Sequence, residues 1–244
     1  MKFSIITVTK NSANFIENNI KSILNQKYVE VEHIIKDAKS TDSTISIAKS
    51  LNPKIVFLIG ADTGIYDAMN QAFRFTTGDI IAFLNSDDIY YNDEVLCDVE
   101  RSFVENECDY VYGNIIMQLD GKLKREWVTG FINNGISHFN QIPHPALFIR
   151  KSILNIIPGP FDTSYKIAAD LKLQLILRKI ISAKGSYLPR SLACMAIGGT
   201  STNGFFAYLR GWCESHRAWS EVCGRGGIYF VFIKVFLKIS HLKF

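Results

Sequence analysis

This 244-residue sequence has little to tie it together covalently. Its five cysteines (Cys97, Cys108, Cys194, Cys213, Cys223) are an odd, scattered set without a C-x-x-C pair. That argues against a disulfide framework and a structural zinc site, and fits buried thiols in a reducing compartment. Neither G-x-G-x-x-G nor G-x-x-x-x-G-K-[ST] occurs, so the usual dinucleotide and P-loop cradles are missing. There is no H-E-x-x-H, and His33, His138, His216 and His241 show no metal-ligand spacing. Prolines number only 6, and no internal repeat, low-complexity tract or flexible linker is visible. Long apolar runs are also missing. Met1 to Thr9 turns polar at Lys10-Asn11, too short for a signal peptide or a membrane span. The expectation is a protein that begins in the cytosol and stays there. A formal net charge of +4 is too small to argue for nucleic acid, and no nucleic-acid partner is expected.

What is present is an ordinary globular composition, 48% apolar and 20% charged. The charge is unevenly spread. Residues 1–202 hold 21 basic and 21 acidic side chains, so the whole excess lies in residues 203–244. That division suggests a domain over 1–202, with halves 1–107 and 108–202, followed by a basic, apolar tail over 203–244.

Along the first ninety residues, β-rich runs alternate with helical patterns. Strands are expected at Phe3–Val8, Val31–Ile35, Ile55–Ile59 and Ile80–Leu84. Helices are expected where Phe15, Ile16, Ile20, Ile23 and Leu24 recur, around Ile45–Leu51, and over Tyr66–Phe75. Such alternation predicts an α/β fold with a mostly parallel sheet covered on both faces. Ligands then bind beyond the carboxyl ends of the strands. Those ends carry Thr9-Lys10-Asn11, Asp37 with Asp42, Asp62 with Asp67, and Asp87 with Asp88, so acidic residues gather on one rim. Further on, a hairpin is expected around Asp120-Gly121, a strand at Ala146–Ile149, and a helix over Ser164–Ile181.

Asp87 follows a buried strand and lies beside Asn85, Ser86 and Asp88. Oxygen ligands at that density suit Mg²⁺ or Mn²⁺, which bind through one or two carboxylates plus substrate phosphates. The plain alternative is that Asp87 and Asp88 cap a helix or shape a turn. Asp170, in the apolar setting Ile167-Ala168-Ala169-Asp170-Leu171, fits a general base that accepts a hydroxyl proton. It equally fits a carboxylate serving a helix N-terminus. His144 lies between Pro143 and Pro145, rigidly held. In the tail, the run from Ile228 to Ile239 is interrupted by lysine and too short to cross a bilayer. Lys234, Lys238 and His241 fall on one helical stripe, so residues 228–243 read as an interfacial helix for an anionic membrane surface, or as a helix docked on the core or on a second subunit.

Taken in order, several segments resemble the family 2 glycosyltransferases of GT-A fold, specifically bacterial enzymes of O-antigen and capsule assembly. They are Ser4-Ile5-Ile6-Thr7-Val8-Thr9-Lys10-Asn11 with Ser22-Ile23-Leu24-Asn25-Gln26, Asp37-Ala38-Lys39-Ser40-Thr41-Asp42, and Asp62-Thr63-Gly64-Ile65-Tyr66-Asp67-Ala68-Met69-Asn70. Gly78 through Asp88 follows, then His144-Pro145-Ala146-Leu147-Phe148, Phe161-Asp162, Ala168-Ala169-Asp170 and Gly198-Gly199-Thr200-Ser201. The resemblance implies that Thr7, Thr9 and Asn11 line a nucleotide pocket and that Asp37 reads the uracil edge. Asp62, Gly64, Asp67 and Asn70 would border nucleotide and donor sugar. Asn85-Ser86-Asp87 stands where the family has D-x-D, so Asp87 would hold Mn²⁺ or Mg²⁺ on the UDP diphosphate. Asp170 would be the catalytic base of a single inverting displacement. His144, Gly199 and Thr200 would border the acceptor or the diphosphate. The implied partners are a UDP-sugar, glucose favoured, and a polyprenyl-diphosphate-linked sugar at the inner face of the cytoplasmic membrane. Three positions depart from the pattern: Lys10 where tyrosine is common, Asn85 for the first aspartate of D-x-D, and Lys172 just after Asp170. A nucleotidyltransferase would need a glycine- and basic-rich loop that Thr9-Lys10-Asn11-Ser12-Ala13 is not. A non-catalytic lipid- or partner-binding module would not need Asp87 and Asp170 together.

Overall fold

A computed structural model describes residues 1–119, 122–132, 140–197, 205–240 and 242–243. In chain order the elements begin β1 (Lys2–Thr9), α1 (Ile16–Leu24), β2 (Glu30–Asp37), α2 (Thr44–Leu51), β3 (Val56–Ile59), α3 (Ile65–Phe73) and β4 (Ile80–Phe83). These match the alternation read from the sequence to within a residue or two. There follow β5 (Ile89–Tyr90), α4 (Val95–Asn106), β6 (Tyr110–Leu119), β7 (Lys122–Trp127), β8 (Leu147–Arg150) and α5 (Lys151–Leu154). The last are α6 (Ala169–Leu175), β9 (Gly185–Ala196), α7 (Phe205–Cys223), α8 (Gly227–Ser240) and β10 (Leu242–Lys243).

Among the described residues the main sheet runs β10-β7-β6-β8-β4-β1-β2-β3, with β9 beside β6 and β5 beside β9. The β4-β1-β2-β3 portion is parallel throughout. Beyond β4 the pairing turns antiparallel through β8, β6 and β7, and β9 adds parallel to β6. The hairpin expectation holds for β6 and β7, while the Asp120-Gly121 turn lies outside the described residues.

Side chains alternate across each strand, and the sequence supplies apolar residues to both faces. On β1 and β4, Phe3, Ile5, Ile80 and Ala82 join α4's Leu96, Val99 and Phe103 on one side. Ile6, Val8, Ile81 and Phe83 join Met69, Phe161, Leu171, Trp219 and Phe230 on the other. Ahead of β4 the backbone must come close to β1. A Cβ on Gly78 would lie 2.7 Å from Ser4 Oγ and 2.8 Å from the Lys2 carbonyl oxygen. Only glycine fits that approach.

Two differences from the sequence reading have physical causes. The expected helix at Ser164–Ile181 starts only at Ala169, and Ile176–Ile180 is a π-helical turn. The backbone amides of 166–168 are bonded to Glu214 instead of entering a helix. Strand β9 escaped notice because Pro189 breaks its pattern. The β6–β9 register slips between Tyr112 and Asn114, opposite that proline, where a ladder N–H is not needed. Helix α4 was also missed.

Helices α7 and α8 pack on the core of the sheet. Ala218, Trp219 and Phe230 are buried in the same core as Met69 and Leu171, and the rings of Trp219 and Phe230 stack at 4.6 Å. Among the described residues no helix is long and apolar enough to cross a membrane. Phe230→Ala is expected to lower unfolding free energy by roughly 3 kcal/mol in urea titrations, as core Phe→Ala changes do. A loss below about 1 kcal/mol would mean that α8 is not seated as described.

Candidate active site

A cavity of about 840 Å³ opens where the carboxyl ends of β1 and β4 meet the start of α6, with α7 and α8 closing one side. Of the residues singled out in the sequence, Thr9, Asn11, Asp62 and Gly64 line it, as do Asn85, Ser86, Asp87 and Asp88. His144 and Asp170 line it too. Gly199 and Thr200 lie outside the described residues.

Four candidates are elsewhere. Thr7 is fully buried, and its hydroxyl bonds to Asn19 Oδ1 at 3.3 Å and to His33 Nε2 at 3.0 Å. It supports the pocket from below. Asp37 is likewise fully buried and turned into its own loop, accepting from Ser40 N at 2.8 Å and Ser40 Oγ at 2.5 Å. Its neighbour Ala38 forms the cavity wall instead. Asp67 accepts from Thr63 N and Oγ1 and from Gln71 Nε2, and the Thr63 amide leads in holding its carboxyl below the ordinary range. Asn70 exchanges two bonds with the backbone of Phe161, at 2.6 and 3.0 Å, and thereby fixes that loop against α3.

The turn after β4 is held by a residue that sequence reasoning missed. Asn19, fully buried on α1, donates its amide to Asn85 O at 2.9 Å and Asp88 O at 2.8 Å. Thr7 in turn donates to Asn19, so a chain of bonds runs from β1 through α1 to the turn. Within that turn, burial raises the pKa of Asp87. Asp88 is raised well above the ordinary value, first by burial and then by the Asp87 charge. Asn85 Oδ1 is buried without a hydrogen-bond partner.

Among the described residues no group of three or more His, Cys, Asp or Glu side chains could hold a metal by itself. Two crowded carboxylates beside an unpartnered amide oxygen nevertheless fit a cation that draws further ligands from substrate phosphates. The chemistry of the donor set is that of a hard divalent ion.

Asp62 differs from the other acids. Lys36, itself 2% exposed, donates to Asp62 Oδ2 at 3.2 Å and to the carbonyls of Gly60 and Asp37 at 2.7 and 3.2 Å. Asp62 Oδ1 accepts from Gly64 N, where φ of +141° calls for glycine. The rim is not uniformly acidic either, since Lys10, Lys166 and Lys234 also line the cavity.

On the α6 side, Gln141 Nε2 donates to Asp170 Oδ2 at 3.2 Å. The Tyr66 hydroxyl is 3.5 Å from Asp170 Oδ1 and donates to Ile167 O at 2.7 Å. Burial, then the Asp170 charge, pushes the Tyr66 pKa well up, so the phenol remains a donor. Lys172 does not approach the Asp170 carboxylate for a bond. Its ammonium is taken by Asp162 at 2.7 Å and Glu221 at 2.6 Å. His144 stacks on Phe83 at 5.6 Å, and burial lowers its pKa against the raising effect of Asp170, so the ring is neutral. Its Nε2 is buried without a partner.

The sequence profile of glycosyl transferase family 2 matches residues 4–164. The chain belongs to glycosyl transferase family 2. A PGL/p-HBAD biosynthesis glycosyltransferase of Mycobacterium bovis is 32% identical over 173 residues, covering 69% of this chain and 66% of that protein. An uncharacterized glycosyltransferase of Mycobacterium tuberculosis is 29% identical over 174 residues, covering 68% of this chain and 65% of its own length. The matches therefore span just under two thirds of those relatives. In structure, this family 2 chain resembles Staphylococcus aureus TarS 1-349 in complex with UDP-GlcNAc, with a TM-score of 0.74 at 20% identity over 96% of this chain and 70% of that one. It also resembles the mannosyltransferase PcManGT from Pyrobaculum calidifontis in complex with GDP-Man and Mn²⁺. There the TM-score is 0.72 at 16% identity, over 98% of this chain and 70% of that one. Identities that low carry the fold alone, which is of GT-A type.

The raised pKa values give a testable sign. Where a carboxyl's folded pKa exceeds its unfolded one, its ionisation favours unfolding. The stabilising contribution is full below the ordinary value of 3.8 and is lost as pH rises through the folded value. Asp88→Asn is therefore expected to be more stable than the parent at pH 7, by on the order of 1–2 kcal/mol. That gain should vanish toward pH 3 in thermal melts. Equal or lower stability of the variant at pH 7 would show that Asp88 is held charged by a partner.

Proposed function

We propose that this chain is a metal-dependent inverting hexosyltransferase. It takes a UDP-sugar, UDP-glucose favoured, and forms a β-glycosidic bond to a lipid-diphosphate-linked sugar in O-antigen or capsule assembly. The observation that carries the reading is that Asp87 and Asp170, on different elements far apart in sequence, line one cavity. Family membership, the GT-A fold and the carboxylate-rich turn support it.

In this reading Asp87, beside Asn85 and Asp88, would hold Mn²⁺ or Mg²⁺, which when bound would neutralise charge on the departing diphosphate. The chain's own residues do the rest. Lys10, Lys166 and Lys234 bring positive charge to an anionic donor. Asp62, oriented by Lys36, and Gly64 form the neighbouring wall for nucleotide or sugar. Asp170, oriented by Gln141 and Tyr66, accepts the proton of the acceptor hydroxyl at its carboxylate. His144, neutral and with Nε2 free to accept or donate, borders the acceptor. A single displacement inverts the anomeric centre, so an α-linked donor gives a β-product.

The acceptor's lipid and a peripheral position on the inner membrane face are supported by the surface of α7 and α8. Tyr208 and Trp212 line the cavity and are half-exposed, and Ile228, Tyr229, Phe232 and Phe236 of α8 are well exposed. Aromatic residues interspersed with basic ones suit an anionic bilayer surface. The side chains of Lys238 and His241 lie outside the described residues.

Asp170→Asn should lower transfer by about 10²-fold or more while UDP-sugar affinity, read by calorimetry, stays as in the parent. Normal turnover would remove the base assignment. Asp87→Ala should weaken UDP binding chiefly when Mn²⁺ is present, and a parent affinity indifferent to metal would remove the metal role. A panel of UDP- and GDP-sugars, with product anomer read by NMR, tests donor and stereochemistry. Cosedimentation with anionic vesicles should exceed that with neutral ones and weaken for Tyr229→Ser/Phe232→Ser, and equal binding to both vesicle types would sink the membrane assignment.

A further inference from the structure

Helix α7 does more than cover the core. One face of it carries Glu214, Arg217 and Glu221, spaced so that all three lie along the same side of the helix. That face grips the segment leading into α6. Glu214 Oε2 accepts from three successive backbone amides: Lys166 N at 3.1 Å, Ile167 N at 2.8 Å and Ala168 N at 2.9 Å. Its Oε1 accepts from Lys166 N as well, at 3.0 Å. Ala168, the residue that precedes α6 in the capping position, offers no side-chain cap of its own. A carboxylate from forty-odd residues downstream therefore supplies what a local aspartate or serine would supply elsewhere.

The peptide groups of this segment are held from both sides. The Ile167 N–H goes to Glu214, and the Ile167 carbonyl accepts from the Tyr66 hydroxyl at 2.7 Å. Asp170 lies three residues on, in the first turn of α6. Farther along the same face, Glu221 accepts from Lys172 at 2.6 Å, from Tyr165 Oη at 2.9 Å and from Arg217 at 2.6 Å. Arg217 also donates to Ser164 Oγ at 3.0 Å. Residues before and after Asp170 are thus fastened to α7.

We propose that Glu214 is a positioning residue for the Asp170 carboxylate, acting through the backbone of 166–168, so that α7 sets the acceptor side of the active site. This rests on the reading of Asp170 as the base. Glu214 is not among the residues that line the cavity. Its effect is on where the α6 N-terminus sits, and a displacement of about 1 Å there is enough to cost on the order of 10²-fold in rate. A helix that only buried apolar surface would leave turnover unchanged below the melting temperature.

The test uses the full chain with Glu214→Ala and Glu214→Gln, the latter keeping one acceptor oxygen. UDP release from UDP-glucose is followed with and without a polyprenyl-diphosphate-linked acceptor. UDP affinity with Mn²⁺ is read by calorimetry, and amide hydrogen exchange is read over residues 164–171. The inference expects kcat to fall about 10- to 100-fold in Glu214→Ala, with UDP affinity and KM for the donor within about twofold of the parent. Glu214→Gln should recover part of the loss, and exchange should speed up at 166–168 in the same order. Unchanged kcat in a folded Glu214→Ala, or unchanged exchange at 166–168, overturns it. If Glu214→Ala does not fold, Glu214→Gln with Arg217→Ala decides by the same readings. Normal turnover in Asp170→Asn would fail the base reading instead, and the exchange arm still judges whether Glu214 holds the segment.

Discussion

Two neighbouring carboxylates, the buried Asp88 and the half-buried Asp87, sit together at the end of β4, and much of the surrounding architecture serves to keep them there. Burial disfavours the ionised form of each, and the charge on Asp87 makes Asp88 harder still to ionise. Such a turn holds its shape only when its backbone is fully bonded. Asn19 supplies that from α1, Thr7 steadies Asn19 from β1, and the Ala196 amide reaches Asp88 from β9. Three separate elements therefore converge on one four-residue turn, and the parallel arrangement of β1 and β4 lets them do so.

The opposite part of the cavity is built by another principle. Instead of strand ends, it uses a short helix whose start is fixed by bonds from α3 and α7. Asp170 is oriented by Gln141 and Tyr66, neither of which is charged, and the nearby Lys172 is drawn off into a cluster with Asp162, Glu221 and Arg217. The ion pairs lie outside the cavity and the neutral donors inside it.

The parallel half of the fold was legible because β1 and β4 supply apolar residues to both faces and each is closed by polar turn residues. The acidic rim was legible for the same reason, since strand ends are where such sheets place ligands. What could not be read was set by distant partners. Thr7 shares a strand and a face with Thr9 but lies one step deeper, which separates a wall residue from a supporting one. Asp37 is turned inward by Ser40, a local bond that the sequence allows but does not require. Asn19, Gln141 and Glu214 looked like ordinary helix or loop polar residues, because the groups they bond are sixty-nine, twenty-nine and about fifty positions away. The late start of α6 follows from the last of these.

The cavity draws its walls from Thr9 near the beginning and from Lys234 more than two hundred residues later. During synthesis β1 to β4 can pair before the remainder is made, but Ile6, Val8, Ile81 and Phe83 stay uncovered on one face until Trp219 and Phe230 arrive. The cavity's far side cannot exist until α7 and α8 have left the ribosome.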